Sequence, residues 1–89
     1  MQRITIEHIS QHTYKVTVQT RTTTEHTVTV SPEYAQQLTL GKANVETLLE
    51  KSFEFLLARE SNTSILRNFD LSVISRYFTE YERTVSQMF

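Results

Sequence analysis

Apolar and polar residues alternate along the first third of the chain. Apolar residues and two histidines occupy even positions, while the odd positions between them are polar and rich in Thr; the even set is Ile4, Ile6, His8, Tyr14, Val16, Val18, His26, Val28 and Val30. A period of two is typical of strands that bury one face. The pattern predicts strands at about residues 2–9, 13–20 and 24–31, joined as an antiparallel meander with one apolar face.

The first two predicted strands have one pairing that satisfies both faces. It places Ile6 opposite Val16 on the apolar face and Glu7 opposite Lys15 on the polar face, and both are cross-strand pairs that stabilise a sheet. The residues 10–12 then form the connecting loop. A register shifted by one residue would turn the apolar side chains to the polar face, so we expect this pairing.

The second predicted connection also needs an odd number of loop residues, because the apolar positions of both flanking strands are even. We expect this loop near Arg21–Thr23. It would place Val28 near Val16 on the apolar face. The two loops together predict a three-stranded antiparallel sheet.

Helix signals begin where the alternation ends. Ser31 before Pro32 is a typical N-cap followed by a first helical residue, and it predicts a short helix over about 32–38. Asn44 can cap a long helix over about 45–60. The apolar arc of this helix is wider than one contact surface needs, so we expect it to cover the sheet and to touch either the C-terminal helices or a second copy of the chain. The arc consists of Val45, Leu48, Leu49, Ser52, Phe53, Phe55, Leu56 and Leu57.

The remaining segment predicts short helices over about 64–68 and 71–78, the second capped by Asp70. The pattern fades after that, so residues 83–89 are expected to form a flexible C-terminal tail. The sequence therefore predicts a single α+β domain over 1–82, in which the long helix packs on one face of the meander and short helices follow.

Composition narrows the class of protein. The chain has 89 residues, no Cys, a net charge of −1 and 21% charged residues. The lack of Cys excludes a disulfide framework and a Cys-based zinc site. No apolar stretch is long enough for a membrane span, so we expect a cytoplasmic protein without a membrane partner.

Candidate chemistry is sparse. His8 and His26 fall at opposite ends of the predicted sheet and His12 falls in a loop, so the sequence predicts no shared metal ion. Glu46, Glu50 and Glu54 line one side of the long helix, but no His follows any of them by three residues, and they are expected to face solvent. A single Gly excludes the common nucleotide-binding loops. We expect no catalytic residue, no cofactor and no metal, and hence no enzyme.

Surplus apolar surface favours self-association instead. A small domain with an over-wide apolar helix can complete its core in a twofold dimer. Such a dimer would bury surface around Phe55, Leu57, Tyr77 and Tyr81, or would pair edge strands. The leading hypothesis is a self-associating, homodimeric protein-interaction module, with an unidentified protein partner as a further possibility.

The alternative is a small regulator or antitoxin-like protein that binds nucleic acid or a partner toxin. Arg59, Arg67 and Arg76 could contact an anion or a nucleic acid. Acidic residues interleave with these arginines, and the polar face of the sheet carries no aromatic residue for base stacking. Nucleic acid is therefore the less favoured partner.

The C-terminal half also resembles a group of small uncharacterised bacterial proteins. The resemblance lies in the segments Ser52–Glu60, Ser64–Leu71 and Tyr77–Glu82. Members of that group are similar in having a variable strand region before this helical tail, often with Pro where this chain has Ser61 and Thr79. The resemblance implies no activity, cofactor or partner. A weaker analogy, of shape only, is with the meander and helix of antitoxins similar to the HicB type.

Overall fold

Four strands form one sheet in the computed structural model, which describes residues 2–89. The strands are β1 (Arg3–Ser10), β2 (Thr13–Gln19), β3 (Thr23–Thr29) and β4 (Asn68–Asp70), in the order β1-β2-β3-β4. The helices are α1 (Pro32–Thr39), α2 (Val45–Leu57), α3 (Ile74–Tyr77) and α4 (Tyr81–Ser86), with single 3₁₀ turns at Asn62–Ser64 and Leu71–Val73. The α+β class is confirmed. The three-stranded sheet is wrong, because β4 adds a fourth strand.

The predicted pairing of β1 with β2 is confirmed. Ile6 lies opposite Val16, and Glu7 lies opposite Lys15. The register shifts only between His8 and Ser10, where β1 bulges before the turn. The alternation excludes a shift by one residue, because one face of the hairpin is buried, and the opposite charges of Glu7 and Lys15 favour this register over a shift by two.

The second hairpin turns one residue earlier than predicted. Val28 lies opposite Tyr14 and not near Val16, whose partner is His26. The turn spans residues 20–22, where the Thr20 N–H donates to the Thr22 carbonyl over 2.9 Å. This earlier turn shifts the register by two residues, which keeps the same side chains on the buried face.

The helix predicted over 64–68 is wrong, because Ser64 ends a 3₁₀ turn, residues 65–67 are not helical and Asn68 begins strand β4. Strand β4 runs parallel to β3 and places Phe69 opposite Val28. Just before it, the Thr27 N–H donates to the Arg67 carbonyl over 2.7 Å. Residues 67–70 are extended because they hydrogen-bond to backbone groups at the outer edge of β3. Local sequence preferences do not reveal this long-range pairing.

Helices α1 and α2 begin where predicted. The Ser31 hydroxyl accepts from the Tyr34 N–H over 3.1 Å, and the Asn44 side chain accepts from the Thr47 N–H over 2.8 Å. Helix α2 ends at Leu57, three residues before the predicted end. The chain turns there and brings Asn62 to the sheet, where its amide donates to the Thr24 hydroxyl over 3.0 Å.

Helix α2 contacts β1 on one side and α1 and α4 on others. Six residues of its predicted apolar arc are buried, and Val45 and Leu57 are half-buried. Helix α4 occupies part of the segment expected to be a flexible tail at 83–89, and its Tyr81 and Val85 are fully buried. These two side chains are four residues apart and so lie on one helical face. The second contact of α2 is therefore made within one chain. None of the helices in residues 2–89 has the length and apolar character needed to cross a bilayer.

Candidate interaction surfaces

The outer side of β1 is an open sheet edge. Within residues 2–89, β2 is the strand that pairs with β1, and no strand covers its other side. The Val30 N–H donates to the His12 carbonyl, so the even-numbered residues of β2 direct their backbone groups to β3 and the odd-numbered ones direct theirs to β1. In the observed register the odd-numbered residues of β1 therefore bond to β2. Ile4 and Ile6 direct their N–H and C=O groups outward from the sheet.

The core-facing side chains of this edge are incompletely covered. Ile4 and Ile6 lie opposite Val18 and Val16, which are fully buried, yet both isoleucines remain partly exposed. They pack against the core from its margin. Additional apolar surface beside β1 would complete their burial.

The polar face of β1 carries two opposite charges. Arg3 is exposed, and Glu7 forms an ion pair with Lys15 over 3.5 Å while its side chain stays 66% exposed. Thr5 lies midway between Arg3 and Glu7. An exposed ion pair of this kind adds little to the stability of one chain, so Glu7 can accept a second cation without losing a strong contact.

A separate apolar groove of about 350 Å³ lies between the end of α2, the segment before β4 and helix α3. Its lining residues are mostly apolar: Leu56, Glu60, Ser64, Ile65, Leu66, Phe69, Val73, Ile74, Tyr77 and Phe78. Leu66 and Tyr77 are 48% and 68% exposed, which is high for large apolar side chains in one groove.

Glu60 is the only charged residue among those described that line the groove. It is half-buried, and it forms no ion pair or hydrogen bond with any residue of 2–89 through its side chain. A carboxylate beside apolar walls favours an apolar group that carries a positive charge.

His26 anchors one wall of the groove. Its Nδ1 lies 2.7 Å from the Leu66 carbonyl oxygen and its Nε2 lies 2.8 Å from the Thr24 hydroxyl. Burial lowers the pKa of His26, and the positive charge of Arg67 lowers it further, while the hydrogen bond to Leu66 opposes them. The imidazole is therefore neutral near pH 7: Nδ1 donates to Leu66, and Nε2 accepts from Thr24.

The other histidines lie apart from this network. The His8 ring stacks on the Tyr14 ring with centroids 4.4 Å apart, as the predicted proximity of these residues implied. His26 lies opposite Val16 and not beside Val18 as predicted. His12 is exposed in the first turn. In the part of the chain that the structure describes, no three His, Asp or Glu side chains come close enough to hold a metal ion together.

The residues predicted to form an interface divide into two groups. Phe55 is 2% exposed and Tyr81 is fully buried, so both belong to the core of one chain and offer no surface to a partner. Their rings contact each other with centroids 5.3 Å apart. Leu57 is half-buried, and Tyr77 projects at the rim of the groove. Sequence reasoning did not single out Ile4, Ile6 or Leu66, although the alternation in β1 marked the first two as apolar.

The three arginines predicted to contact an anion or a nucleic acid differ in how far their charge is engaged within the chain. Arg59 Nε lies 3.4 Å from a Glu80 carboxylate oxygen, and its guanidinium stacks 3.6 Å from the centre of the Phe55 ring. Arg67 and Arg76 are exposed. The charge of Arg59 is thus partly neutralised within the chain, which weakens the case for a nucleic-acid surface.

Comparison with protein-family models, curated proteins and solved structures found no match to this chain. The resemblance to small uncharacterised bacterial proteins stays a prediction. The chain offers two surfaces to a partner, namely the β1 edge and the apolar groove.

Proposed function

We propose that this chain is a non-enzymatic protein-interaction module that associates with a second copy of itself through the edge of β1. The observation that carries this proposal is the combination of outward backbone groups and incompletely buried side chains at Ile4 and Ile6. A second strand would satisfy the backbone groups and cover the isoleucines in one step.

The usual protection against such pairing is weak along β1. Edge strands are commonly short, carry Pro or an inward-pointing charge, or bulge in the middle. β1 has eight residues without Pro, and uncharged isoleucines point inward from its first half. Its bulge lies at the far end, between His8 and Ser10. Residues 3–7 are therefore a regular strand that another strand can join.

The engagement of both ring nitrogens of His26 supports a non-enzymatic role. Both ring nitrogens of His26 are engaged by Thr24 and Leu66, and the residue is fully buried. His8 is stacked on Tyr14. A general base needs a nitrogen that can reach a substrate, which His26 does not offer in this arrangement.

Light scattering across a range of micromolar concentrations tests the self-association. We expect the mean mass to rise from 10.4 kDa toward twice that value as concentration increases. Ile6→Lys places a charge at the core-facing side of the edge and should keep the protein monomeric. Glu25→Lys, at an exposed position of β3, is the matched control and should dimerise like the parent. A parent that stays monomeric throughout would rule out the proposed self-association.

The groove supports a second contact, with a different protein. We assign it to an amphipathic helix that inserts apolar side chains between Leu66 and Tyr77 and places a Lys or Arg beside Glu60. The exposed apolar rim and the unpaired half-buried carboxylate are complementary to such a helix. The volume of the groove suits a few side chains more than a whole folded surface.

Two labelled model peptides test this assignment, one helical with Leu and Lys and the other identical but with Glu for Lys. We expect fluorescence anisotropy to show tighter binding of the Lys peptide. Glu60→Gln should reduce that preference, and Leu66→Asp should weaken both peptides. Glu50→Gln, at an exposed site on α2, is the control. Equal binding of the Lys peptide by the parent and Glu60→Gln would contradict the assigned partner.

A further inference from the structure

We propose that two copies pair their β1 strands antiparallel about Thr5, so that Arg3 of each copy faces Glu7 of the other. This inference rests on the proposed self-association and specifies its geometry. It also places Ile4 of each copy opposite Ile6 of the other. The result is a continuous eight-stranded sheet with a twofold axis that passes between the two Thr5 residues.

Only every second residue of β1 directs its N–H and C=O groups outward, and this limits the possible registers between two β1 strands. Ile4 and Ile6 direct their backbone groups outward, so hydrogen bonds form only when even residues of one copy face even residues of the other. The same parity keeps the apolar side chains of both copies on one face. An antiparallel twofold pairing must therefore be centred on a single residue of β1.

The charges of Arg3 and Glu7 determine which residue of β1 is favoured as the centre of the twofold pairing. Centring on Arg3 or on Glu7 places two like charges directly opposite each other, which is unfavourable. Centring on Ile4 or on Ile6 leaves Arg3 opposite an uncharged residue. Only the pairing centred on Thr5 matches Arg3 with Glu7, and the symmetry makes that match twice.

The local geometry strengthens this match. Arg3, Thr5 and Glu7 direct their backbone groups to β2, so their positions across the new interface would be non-hydrogen-bonded pairs. Side chains approach most closely in such pairs. Glu7 would then lie between Lys15 of its own chain, now 3.5 Å away, and Arg3 of the second copy. On the other face the half-buried Ile4 and Ile6 would each gain an isoleucine neighbour.

Charge reversal gives a test specific to this register. R3E alone would place two carboxylates across each pair, and E7R alone would place two guanidinium groups there. We expect each variant to dimerise about tenfold more weakly than the parent at low salt, as expected when two attractive pairs become repulsive. A mixture of the two variants should form heterodimers, because every reversed side chain then meets its complement. Native mass spectrometry distinguishes the heterodimer from both homodimers.

The controls separate the register from the self-association itself. E25R changes charge on β3, two strands from the edge, and should dimerise like the parent. The loss in R3E and E7R should shrink as salt is added, since the charges are exposed. A parent dimer that is unaffected by both reversals, or variants that dimerise no better mixed than alone, would overturn the register and leave self-association standing. A monomeric parent would overturn both.

Discussion

The Nδ1 of His26 donates to the backbone oxygen of Leu66 over 2.7 Å, across 40 positions in the sequence. This bond ties β3 to the segment that forms a wall of the groove. A neutral imidazole has one N–H, so Nε2 must accept from the Thr24 hydroxyl, 2.8 Å away. Protonation of His26 would turn that acceptor into a donor and would place a charge in the core. The groove wall therefore depends on a neutral His26.

Stability should fall as the solution is made acidic below pH 6.5. The pKa of His26 is lowered from 6.5 in the folded protein, chiefly by burial. Below pH 6.5 the unfolded chain thus binds a proton that the folded chain resists, and the free energy of unfolding decreases as pH falls. Well above pH 6.5 both states hold the neutral ring, so this contribution no longer varies. Urea unfolding between pH 7.5 and about pH 5.5 measures the slope.

The matched variants are His26→Gln and His12→Gln. His26→Gln should lower stability at pH 7.5 but flatten the decline toward acid, because the titrating group is gone. His12 is exposed in a turn, so its variant should follow the parent curve. A His26→Gln protein with the same pH slope as the parent would show that another group titrates.

Ser52 and Tyr81 form a buried hydrogen bond, and removing Ser52 should destabilise the protein more than removing the Tyr81 hydroxyl. The Ser52 hydroxyl donates to the Leu48 carbonyl, so the Tyr81 hydroxyl donates to Ser52 over 2.6 Å. Tyr81→Phe removes one donor and should cost about 1 kcal/mol. Ser52→Ala leaves the Tyr81 hydroxyl buried without a partner and should cost about 1–3 kcal/mol. The double variant should cost less than the sum when measured by chemical unfolding. Strict additivity would contradict the bond.

Phe53 should be one of the most sensitive core positions. It is fully buried, and its ring packs against the rings of His26 and Phe69, 5.4 and 6.3 Å away between centroids. Phe53→Ala should lower the free energy of unfolding by about 3–5 kcal/mol. Glu50→Ala, on the exposed side of α2, should change it by less than about 0.5 kcal/mol. Equal melting of the two variants would mean that the buried face of α2 is assigned wrongly.

The last helix should be needed for stability. Val85 is fully buried, and the Tyr34 hydroxyl links α1 to α4 by donating to the Glu82 carboxylate over 2.7 Å. Val85→Ala removes two buried carbons and should cost about 2 kcal/mol, whereas Gln87→Ala should have little effect. Thermal unfolding compares them. A chain ending at Glu82 that melts like the parent would restore the prediction that residues 83–89 form a flexible tail.

The first hairpin was predictable because its information is local. The alternation from Ile4 to Val18 excludes registers shifted by one residue, and the pairing of Glu7 with Lys15 favours the register that the structure has. The caps at Ser31 and Asn44 are likewise local, since a side chain bonds to an N–H three residues away. Such features follow from spacing alone.

The remaining features depend on contacts distant in sequence. Residues 65–70 have helical and extended options, and the edge of β3 selects the extended one. Phe55 was assigned to an interface because the sequence left open whether the C-terminal helices or a second copy would cover it, and the structure shows Tyr81 of α4 against its ring. The predicted meander already placed β1 and β3 at the two edges of the sheet, but the sequence did not show that β4 would cover β3 and leave β1 as the long open edge. The sequence therefore predicted the class of fold better than its available surfaces.

Amide hydrogen exchange at Ile4 and Ile6, followed across a dilution series, tests the central claim most directly. Both N–H groups point away from β2 and are open to solvent in one isolated chain. Pairing of β1 with a second copy predicts that their exchange slows as concentration rises, while exchange at Val16, which is bonded between β2 and β3, does not change. Exchange at Ile4 and Ile6 that stays fast at every concentration, in a sample shown to dimerise, would contradict pairing through β1.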